Sequence, residues 1–273
     1  MTEQLRAYVN ARLLDPASGL DQTGTVLIDG NKIVDTGPHL FPNGPPPNVQ
    51  VIDCKGYCLA PGLIDMPTAE PAPDGTLALT YGYVGGANRG SLSFQLAPRL
   101  SGTFRYTGIQ DFDHPASVDG VYYDRSFDIR FQIFTETDWR PSVVIGLQDF
   151  IGTGIYSGEY LVATKTLAPG LAVTAGLGWG RLGSYGAMTS VGTRSDTILG
   201  TGGQPTADRW FRGDVAPFGG ISWSPDKRLT VKLEYSSDDY EEERRSSDFD
   251  HGMPVNLGLD YRFDNGTQLS LYY

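Results

Sequence analysis

From about residue 76 onward, apolar and polar side chains alternate along the chain with a period of two. Residues 127–133 read Phe-Asp-Ile-Arg-Phe-Gln-Ile, and the alternation recurs in stretches 77–83, 100–106, 171–179, 229–235 and 255–263. This period places successive side chains on opposite faces of a β-strand. Further candidate strands cover 89–97, 142–149, 157–165, 216–224 and 267–273, so the pattern predicts roughly eleven strands.

The connections between these strands fall into two length classes. Tight turns are predicted at 97–99, 138–141, 168–170, 225–227 and 264–266, and looser links near 110–126, 181–214 and 237–253. Short turns at one rim and long loops at the other are typical of outer-membrane barrels, whose tilted strands cross the bilayer with about 9–11 residues. Aromatic residues near strand ends would suit an interfacial girdle: Trp179, Trp223, Tyr235 and Phe263.

The alternation therefore predicts an all-β fold of antiparallel strands and is compatible with an outer-membrane-type β-barrel. A soluble β-sandwich stays open as an alternative, because it shows the same alternation with one buried face. The charged members of the alternating strands would suit either a wet lumen or a solvated sheet face: Arg130, Lys232, Glu234, Asp260 and Arg262.

Before residue 66 the pattern predicts a small antiparallel sheet. Its strands are Leu5–Leu14, Thr25–Asp29, Lys32–Asp35, Val49–Asp53 and Tyr57–Ala60, with a hairpin turn at Gly30-Asn31 and a loop at Phe41–Pro47. Because a sheet of three or four strands without a partner layer is marginally stable, we expect this segment to be mobile or loosely docked.

Composition narrows the classes of function. The 273 residues carry a net charge of −11 and a pI of about 4.6, which argues against a nucleic-acid partner held by phosphate contacts. No stretch of about 20 apolar residues exists, so no transmembrane helix is predicted. The first ten residues lack a basic region followed by an apolar core, so we expect no secretory signal peptide there.

Candidate sites in the sequence are weak. Cys54 and Cys58 lack two further ligands for a zinc site, and the histidines His39, His114 and His251 are scattered. Residues 178–183 spell G-x-G-x-x-G, but no helical pattern follows, so a dinucleotide site is not expected. Asn265-Gly266-Thr267 is a glycosylation sequon in spelling only. We predict no catalytic, cofactor-binding or metal residue, and no cofactor.

The acidic run at residues 238–245, Asp-Asp-Tyr-Glu-Glu-Glu-Arg-Arg, lies in a predicted long loop. A solvated face is the usual interpretation of such a run. Contact with calcium or a glycan is the functional alternative, although calcium needs six to eight converging oxygens.

Residues 1–66 resemble the N-terminal segment of dihydroorotase-type amidohydrolases. The strings NARLLDPASGLD, VLIDGNKIVDTGP and VIDCKGYCLAPGLIDM carry the resemblance. In that family a His-x-His metal pair follows the Pro-Gly-x-Ile-Asp turn, whereas Pro67, Thr68 and Ala69 follow it here. Amidohydrolase chemistry needs a bound metal to generate hydroxide near neutral pH. We therefore predict that the chain is not an enzyme.

Residues 61–273 resemble the YjbH family of exopolysaccharide- and capsule-associated outer-membrane proteins. The strings PGLIDMPTAE, SLSFQLAPRLSGTFRYTGI, KLEYSSDDYEEE and PVNLGLDYRF are among those that carry the resemblance. It implies an exported β-barrel encoded with polysaccharide export machinery. Members are longer and carry a leader. The resemblance therefore implies an antiparallel outer-membrane-type β-barrel of which the chain would hold only the first part, an incomplete strand set that cannot easily close. We hypothesise that a gene fusion or a misassembly of sequence reads joined the two parts at Pro-Gly-Leu-Ile-Asp-Met.

These observations predict two regions, 1–66 as an amidohydrolase-like β segment without an active site and 67–273 as a YjbH-like β-barrel region. The expected function is non-enzymatic assistance to exopolysaccharide or capsule secretion and assembly at the outer membrane. Expected partners are outer-membrane lipid, polysaccharide and export-machinery proteins, and no nucleic acid. A catalytically dead dihydroorotase relative and a soluble carbohydrate-binding β-sandwich are the alternatives.

Overall fold

The computed structural model describes the chain in two compact units. The described residues are 6–15, 20–29, 32–37, 40–41, 50–53, 64–70, 77–84, 87–200, 202–246, 252–262 and 268–273. Unit 1 comprises Met1–Cys58 and Asp260–Ser270, and unit 2 comprises Leu59–Leu259 and Leu271–Tyr273.

Unit 1 contains a four-stranded sheet in the order β3-β2-β1-β4. Its strands are β1 Arg6–Asp15, β2 Leu20–Asp29, β3 Lys32–Gly37 and β4 Gln50–Asp53. Strand β2 begins five residues earlier than predicted because Leu20 pairs with Asp15 at the end of β1. The prediction of an antiparallel sheet is wrong for one pair of strands, since β4 pairs with β1 in parallel. The predicted Gly30-Asn31 turn, the strand at 57–60 and residues 42–47 of the predicted loop lie outside the described residues.

The larger sheet confirms the all-β prediction. Its main path runs β17-β16-β15-β14-β11-β10-β9-β8-β7-β6-β5. The strands are β5 Leu77–Val84, β6 Ala87–Ala97, β7 Leu100–Gln110, β8 Val121–Phe134, β9 Ser142–Gly152, β10 Gly158–Ala168, β11 Leu171–Gly180, β14 Gly213–Trp223, β15 Leu229–Tyr235, β16 Val255–Arg262 and β17 Gln268–Tyr272. Each of the eleven predicted strands is therefore present. Two short strands, β12 Thr189–Val191 and β13 Gln204–Pro205, pair with β14 and β9 inside a region predicted as a loose link.

The path is an open antiparallel meander in the described part of the chain. It ends at β5 and β17, which do not pair with each other there. The closed ring of a barrel is thus not formed by the described strands. The link predicted near 110–126 is shorter than expected, because β7 continues to Gln110 and β8 begins at Val121.

Helix is scarce in the described residues. The single α-helix, α1, covers Glu241–Ser246, and a 3₁₀ turn covers Arg181–Gly183. Neither approaches the length and hydropathy that a membrane-spanning helix requires.

The larger sheet has one face that is mostly polar and one that is apolar. On β8, Asp124, Ser126 and Gln132 are buried, whereas Phe127 and Phe131, on the opposite side, are exposed. We call the buried side the polar face; it continues across the sheet through Thr107, Ser142, Thr164, Thr174 and Glu234. The apolar face exposes Leu79, Leu92, Leu161, Leu177, Ile221, Leu233 and Leu257. This arrangement is the reverse of a water-soluble sandwich, whose apolar face is buried.

Candidate functional site

Residues 64–70, Ile-Asp-Met-Pro-Thr-Ala-Glu, lie without regular secondary structure against the polar face. We call this segment the strap. Its four central residues, 66–69, are buried, while Asp65 and Glu70 at its ends are exposed. The strap includes the last three residues of the Pro-Gly-Leu-Ile-Asp-Met string, at which the two family resemblances meet. This string is therefore part of a structural element of unit 2.

The carboxylate of Glu234, on β15, holds one end of the strap. It accepts hydrogen bonds from three successive main-chain N–H groups, those of Ile64 at 2.8 Å, Asp65 at 3.0 Å and Met66 at 2.9 Å. Asn256 Nδ2 donates to its other oxygen at 2.9 Å. Successive N–H groups that converge in this way form a concave anion site, and bonds to an ionised acceptor are stronger than neutral ones. These donors compensate the burial of Glu234, which has no exposed surface.

Three polar side chains hold the other end. Ala69 donates its N–H to Thr164 Oγ1 at 2.9 Å, and its carbonyl accepts from Ser142 Oγ at 2.6 Å. Arg130 Nη2 donates to the carbonyls of Thr68 at 2.9 Å and Glu70 at 2.8 Å. The strap is therefore bound at both ends through its main chain.

A small apolar cluster lies beneath the strap, within the polar face. Met66 and Ala69 pack there with Val144, Tyr160, Val162, Leu182 and Phe218. The cluster fits because Gly146 and Gly176 leave room for rings from the neighbouring strands, Tyr160 and Phe218. The strap thus covers the apolar residues of this face.

The positions of the two anchor points show that the strap crosses the strands. Glu234 is on β15 and Arg130 on β8, which are five steps apart in the order β15-β14-β11-β10-β9-β8. Strands spaced about 4.8 Å apart put about 24 Å between them along the sheet. Seven extended residues span about 23–25 Å. The strap therefore runs across the face rather than along one strand.

A cavity of about 80 Å³ lies beside the strap, between it and strands β7 to β10. Most of its lining is polar, with side chains that can donate or accept hydrogen bonds: Asp65, Ser101, Thr103, Asp128, Arg130, Gln148 and Tyr160. A space of this size and polarity suits a few water molecules.

A second feature, the rim cluster, lies at the end of the strands where the longer loops emerge. Arg181 donates to the carboxylate of Asp238 through Nε and to Glu243 Oε1 through Nη2 at 2.9 Å. The guanidiniums of Arg89 and Arg181 lie 4.5 and 5.1 Å from the ring centre of Tyr156. Burial lowers the pKa of Arg181, but Asp238 and Glu243 more than offset this, so its pKa lies above the ordinary value. The guanidinium stays charged.

The rim cluster joins residues that are far apart in the strand order. Arg89 on β6 lies 3.8 Å from Glu243 on α1, the helix that follows β15, although seven steps of the strand order separate β6 from β15. The segment after β15 therefore brings its acidic side chains to residues of distant strands.

The acidic run at 238–245 is only in part the solvated face that the sequence predicted, because Glu241 and Arg244 are exposed but other members are not. Residues Glu241–Ser246 form α1, and Asp238 and Glu243 are buried, because Arg181 and Arg89 come from distant strands to neutralise them. Among the described residues, no group of three or more His, Cys, Asp or Glu side chains could hold a metal ion.

The other candidate residues are not brought together. His114 lies in the loop after β7, where its Nδ1 accepts from the N–H of Ala116 at 3.1 Å. Residues 178–183 form the end of β11 and a 3₁₀ turn, with no α-helix after them. The residues that lie outside the described part are Cys54, Cys58, His39, His251 and 265–267.

Sequence reasoning missed the strap as a site. Its hydrogen bonds to the polar face are made mainly by main-chain atoms, so the residue types at 64–70 do not reveal them. One available signal was Glu234, a carboxylate in the alternating run Leu-Thr-Val-Lys-Leu-Glu-Tyr. An inward carboxylate on such a strand needs donors, and the strap supplies them.

Comparison with known proteins gives two kinds of match. The family model for YjbH, described as exopolysaccharide biosynthesis protein YbjH, matches residues 55–273. The chain is 32% identical over 224 residues to a protein of Escherichia coli K12 named uncharacterized lipoprotein YjbH, covering 78% of this chain and 32% of that protein. The chain therefore spans about a third of the length of this curated relative.

The second kind of match concerns the N-terminal part. Over 61 residues, 22% of this chain, it is 54% identical to a dihydroorotase of Ehrlichia chaffeensis, of which this stretch covers 14%. It is 49% identical over 61 residues, 22% of this chain and 14% of the enzyme, to a dihydroorotase of a Wolbachia from Brugia malayi. No solved structure gives a significant match to the chain.

Proposed function

The chain belongs to the YjbH family of exopolysaccharide biosynthesis proteins, and from this premise we propose that it is a non-enzymatic outer-membrane protein that assists polysaccharide secretion or assembly. The resemblance gives it an exopolysaccharide-related function. The observation that supports the membrane role is the inverted sheet of unit 2, with its apolar side chains exposed and its polar side chains buried.

An exposed apolar face of this extent is unfavourable in water. Leu79 is 79% exposed, Leu233 46% and Leu257 49%, and they lie on different strands of one continuous sheet. Monomeric soluble proteins rarely expose contiguous apolar patches of more than a few hundred Å². In an outer-membrane protein the same side chains face lipid, and the opposite, polar face lines the interior. The soluble-sandwich alternative is disfavoured for this reason.

Two further features support an envelope location. The relative from Escherichia coli is named a lipoprotein, which is consistent with the cell envelope. At the rim of the short turns, Trp139 and Trp223 are exposed. Tryptophan is enriched at membrane–water interfaces, because its ring is amphipathic.

The non-enzymatic role is supported by the residues that follow the Pro-Gly-Leu-Ile-Asp string. Pro67, Thr68 and Ala69 stand where dihydroorotases place a metal-binding histidine pair, and here they are buried in the strap. The matching stretch covers only 14% of the Ehrlichia enzyme. A dead amidohydrolase is therefore the weaker account of the chain, because the YjbH match covers residues 55–273.

An exchange of two neighbouring residues on β15 tests the proposal without changing composition. Lys232 is on the polar face and Leu233 on the apolar face. The variant Lys232→Leu/Leu233→Lys moves the charge to the lipid side, at a cost of about 2–4 kcal/mol near the bilayer midplane. Lys232→Leu alone is the control, since it leaves the lipid side apolar.

The wild-type chain, the exchanged variant and the control are each directed to the envelope of an Escherichia coli strain that lacks its YjbH relative. The wild-type chain and the control are expected in the outer-membrane fraction, with secreted polysaccharide above that of the empty strain. The exchanged variant is expected to lose both. Wild-type levels of outer-membrane protein and polysaccharide in the exchanged variant would contradict the proposal.

A further inference from the structure

We propose that the polar face of unit 2 is a track for an extended, electrically neutral glycan chain, and that the strap occupies this track and must leave before a glycan enters. The inference rests on the proposed function; it adds the class of polysaccharide that is bound and the segment that controls access to it. It is based on the hydrogen bonds between the polar face and the strap.

The side chains of the polar face, which also form the wall of the proposed track, bind the strap in a way that would suit any extended polar polymer. Seven hydrogen bonds, from or to Glu234, Thr164, Ser142 and Arg130, end on main-chain N–H or C=O groups of residues 64–70. A sugar hydroxyl both donates and accepts, so the same carboxylate, hydroxyls and guanidinium can bind a glycan.

The polar wall continues beyond the strap. Ser93 and Thr103 share a hydrogen bond of 2.8 Å, and Ser101 donates to Gln95 at 2.8 Å, on the neighbouring strands β6 and β7. Thr107 Oγ1 and Arg105 Nε are buried with no hydrogen-bond partner among the described residues. The cavity of about 80 Å³ connects this stretch of wall to the strap. Removal of the strap would join these groups into one polar track.

Leaving the track has a cost that a glycan can offset. Glu234 would lose three N–H donors, and a buried acceptor without donors is destabilising, more so when it is charged. Sugar hydroxyls can replace these donors. The strap places only two side chains, Met66 and Ala69, in the apolar cluster, so little apolar contact opposes its release.

The charges of the polar face indicate the class of glycan. Three carboxylates, Asp124, Asp128 and Glu234, are accompanied on this face by three cationic groups, Arg105, Arg130 and Lys232, and Arg105 is paired with Asp128 at 2.7 Å. These charges balance, so the face carries no positive excess that would attract a polyanion. A neutral polymer is favoured over a polyanion.

The test uses a reversible tether in the 273-residue chain. Ser237 Oγ lies 3.7 Å from Met66 Sδ, so Met66→Cys and Ser237→Cys place thiols on two facing side chains, and a short thiol-reactive cross-linker with an internal disulfide joins them until it is reduced. Cys54→Ser and Cys58→Ser remove the native thiols, and Glu234→Gln weakens the anchor of the strap. The protein is reconstituted into phosphatidylcholine vesicles, and flotation reports insertion. Osmotic swelling reports entry of maltohexaose or of an acidic hexamer, oligoguluronate.

We expect slow swelling in maltohexaose when the tether is oxidised and several-fold faster swelling after reduction. Oligoguluronate should enter more slowly than maltohexaose in the reduced state. The matched control is Asp138→Asn, an exposed carboxylate in the turn between β8 and β9 that lies outside the track, and it should leave swelling unchanged. If Glu234→Gln prevents folding, the tether is placed in the Glu234 background, where reduction should still speed entry.

Three results would overturn the inference while leaving the proposed function intact: equal swelling in both redox states, no sugar entry in an inserted protein, or faster entry of the acidic hexamer. A chain that does not float with the vesicles would instead remove the proposed membrane role, and the inference with it.

Discussion

Glu234 is the residue on which the position of the strap depends most. It is fully buried, yet its compensating partners are main-chain N–H groups and an amide rather than a salt bridge across the strap. A carboxylate in such a site favours one arrangement of its donors, because any other leaves a buried charge unsatisfied. One side chain on β15 thereby fixes a segment 164 or more positions away in the sequence.

Replacing this carboxylate by an amide should loosen the strap. Glu234→Gln removes the charge and turns an NH₂ group toward donors, so we expect a loss of about 1–3 kcal/mol in the free energy of unfolding. Guanidinium titration of the detergent-folded protein measures it. Asp138→Asn, an exposed carboxylate in a turn, is the control and should change stability little. Equal stability of Glu234→Gln and wild type would show that the hydrogen bonds between Glu234 and the strap contribute nothing to stability.

Glu136, in the turn between β8 and β9, gives a prediction about pH. The Lys165 ammonium at 2.8 Å, with the N–H of Thr166 at 2.9 Å, holds the pKa of this carboxyl below its ordinary value of 4.5. A depressed folded pKa contributes stability that is fully present above 4.5 and is lost as the pH falls through the folded pKa.

Wild type should therefore be more stable than Glu136→Gln at neutral pH, and the difference should shrink once the pH falls below 4.5. Denaturant midpoints of both proteins over a pH series measure this difference. A gap that widens in acid would refute the assigned ion pair.

At the scale of elements, the strap packs on strands β9 to β14 because glycines on these strands leave room for the rings beneath it. A Cβ at Gly146 would overlap the ring of Tyr160, on the adjacent β10, which belongs to the cluster under the strap. The ring cannot move away freely, because strap residues Met66 and Ala69 pack in the same cluster.

Gly146→Ala should therefore overpack this cluster and lower the free energy of unfolding by about 1–3 kcal/mol. Gly90→Ala is the matched control, since the nearest atom to a Cβ there is the carbonyl oxygen of Tyr106 at 3.9 Å. Chemical denaturation of both variants gives the comparison. A smaller loss at Gly146 than at Gly90 would contradict the packing described.

Which elements the sequence could predict follows from how each is stabilised. The eleven long strands of the larger sheet are predictable, because each carries the period of two in its own residues. Strands β12 and β13 are only three and two residues long and are set by their pairing with β14 and β9. They leave no local pattern.

The site was less predictable, because it too depends on contacts between residues that are distant in the sequence. The strap is positioned by bonds between its main chain and distant side chains, and the burial of Asp238 and Glu243 depends on Arg181 and Arg89. Such partners are far apart in the sequence and meet only in the folded chain. Periodicity could therefore predict that Glu234 faces inward with the polar residues, but not what it binds.

At the scale of the molecule, the larger sheet exposes its apolar face and buries its polar face. That inversion links the fold to the proposed role, in which lipid would cover the apolar face while the strap lies on the polar one. Family membership supplies the polysaccharide connection, while the chain spans about a third of its Escherichia coli relative.

The most direct test of this account is a nitroxide scan of residues 127–132 on β8, one cysteine at a time, in phosphatidylcholine vesicles. Collision with oxygen reports lipid, and collision with a water-soluble nickel chelate reports the aqueous side. We predict a high oxygen-to-nickel ratio at positions 127, 129 and 131 and a low ratio at 128, 130 and 132. A ratio without this period of two, or with the opposite phase, would contradict the lipid-facing assignment of the apolar face.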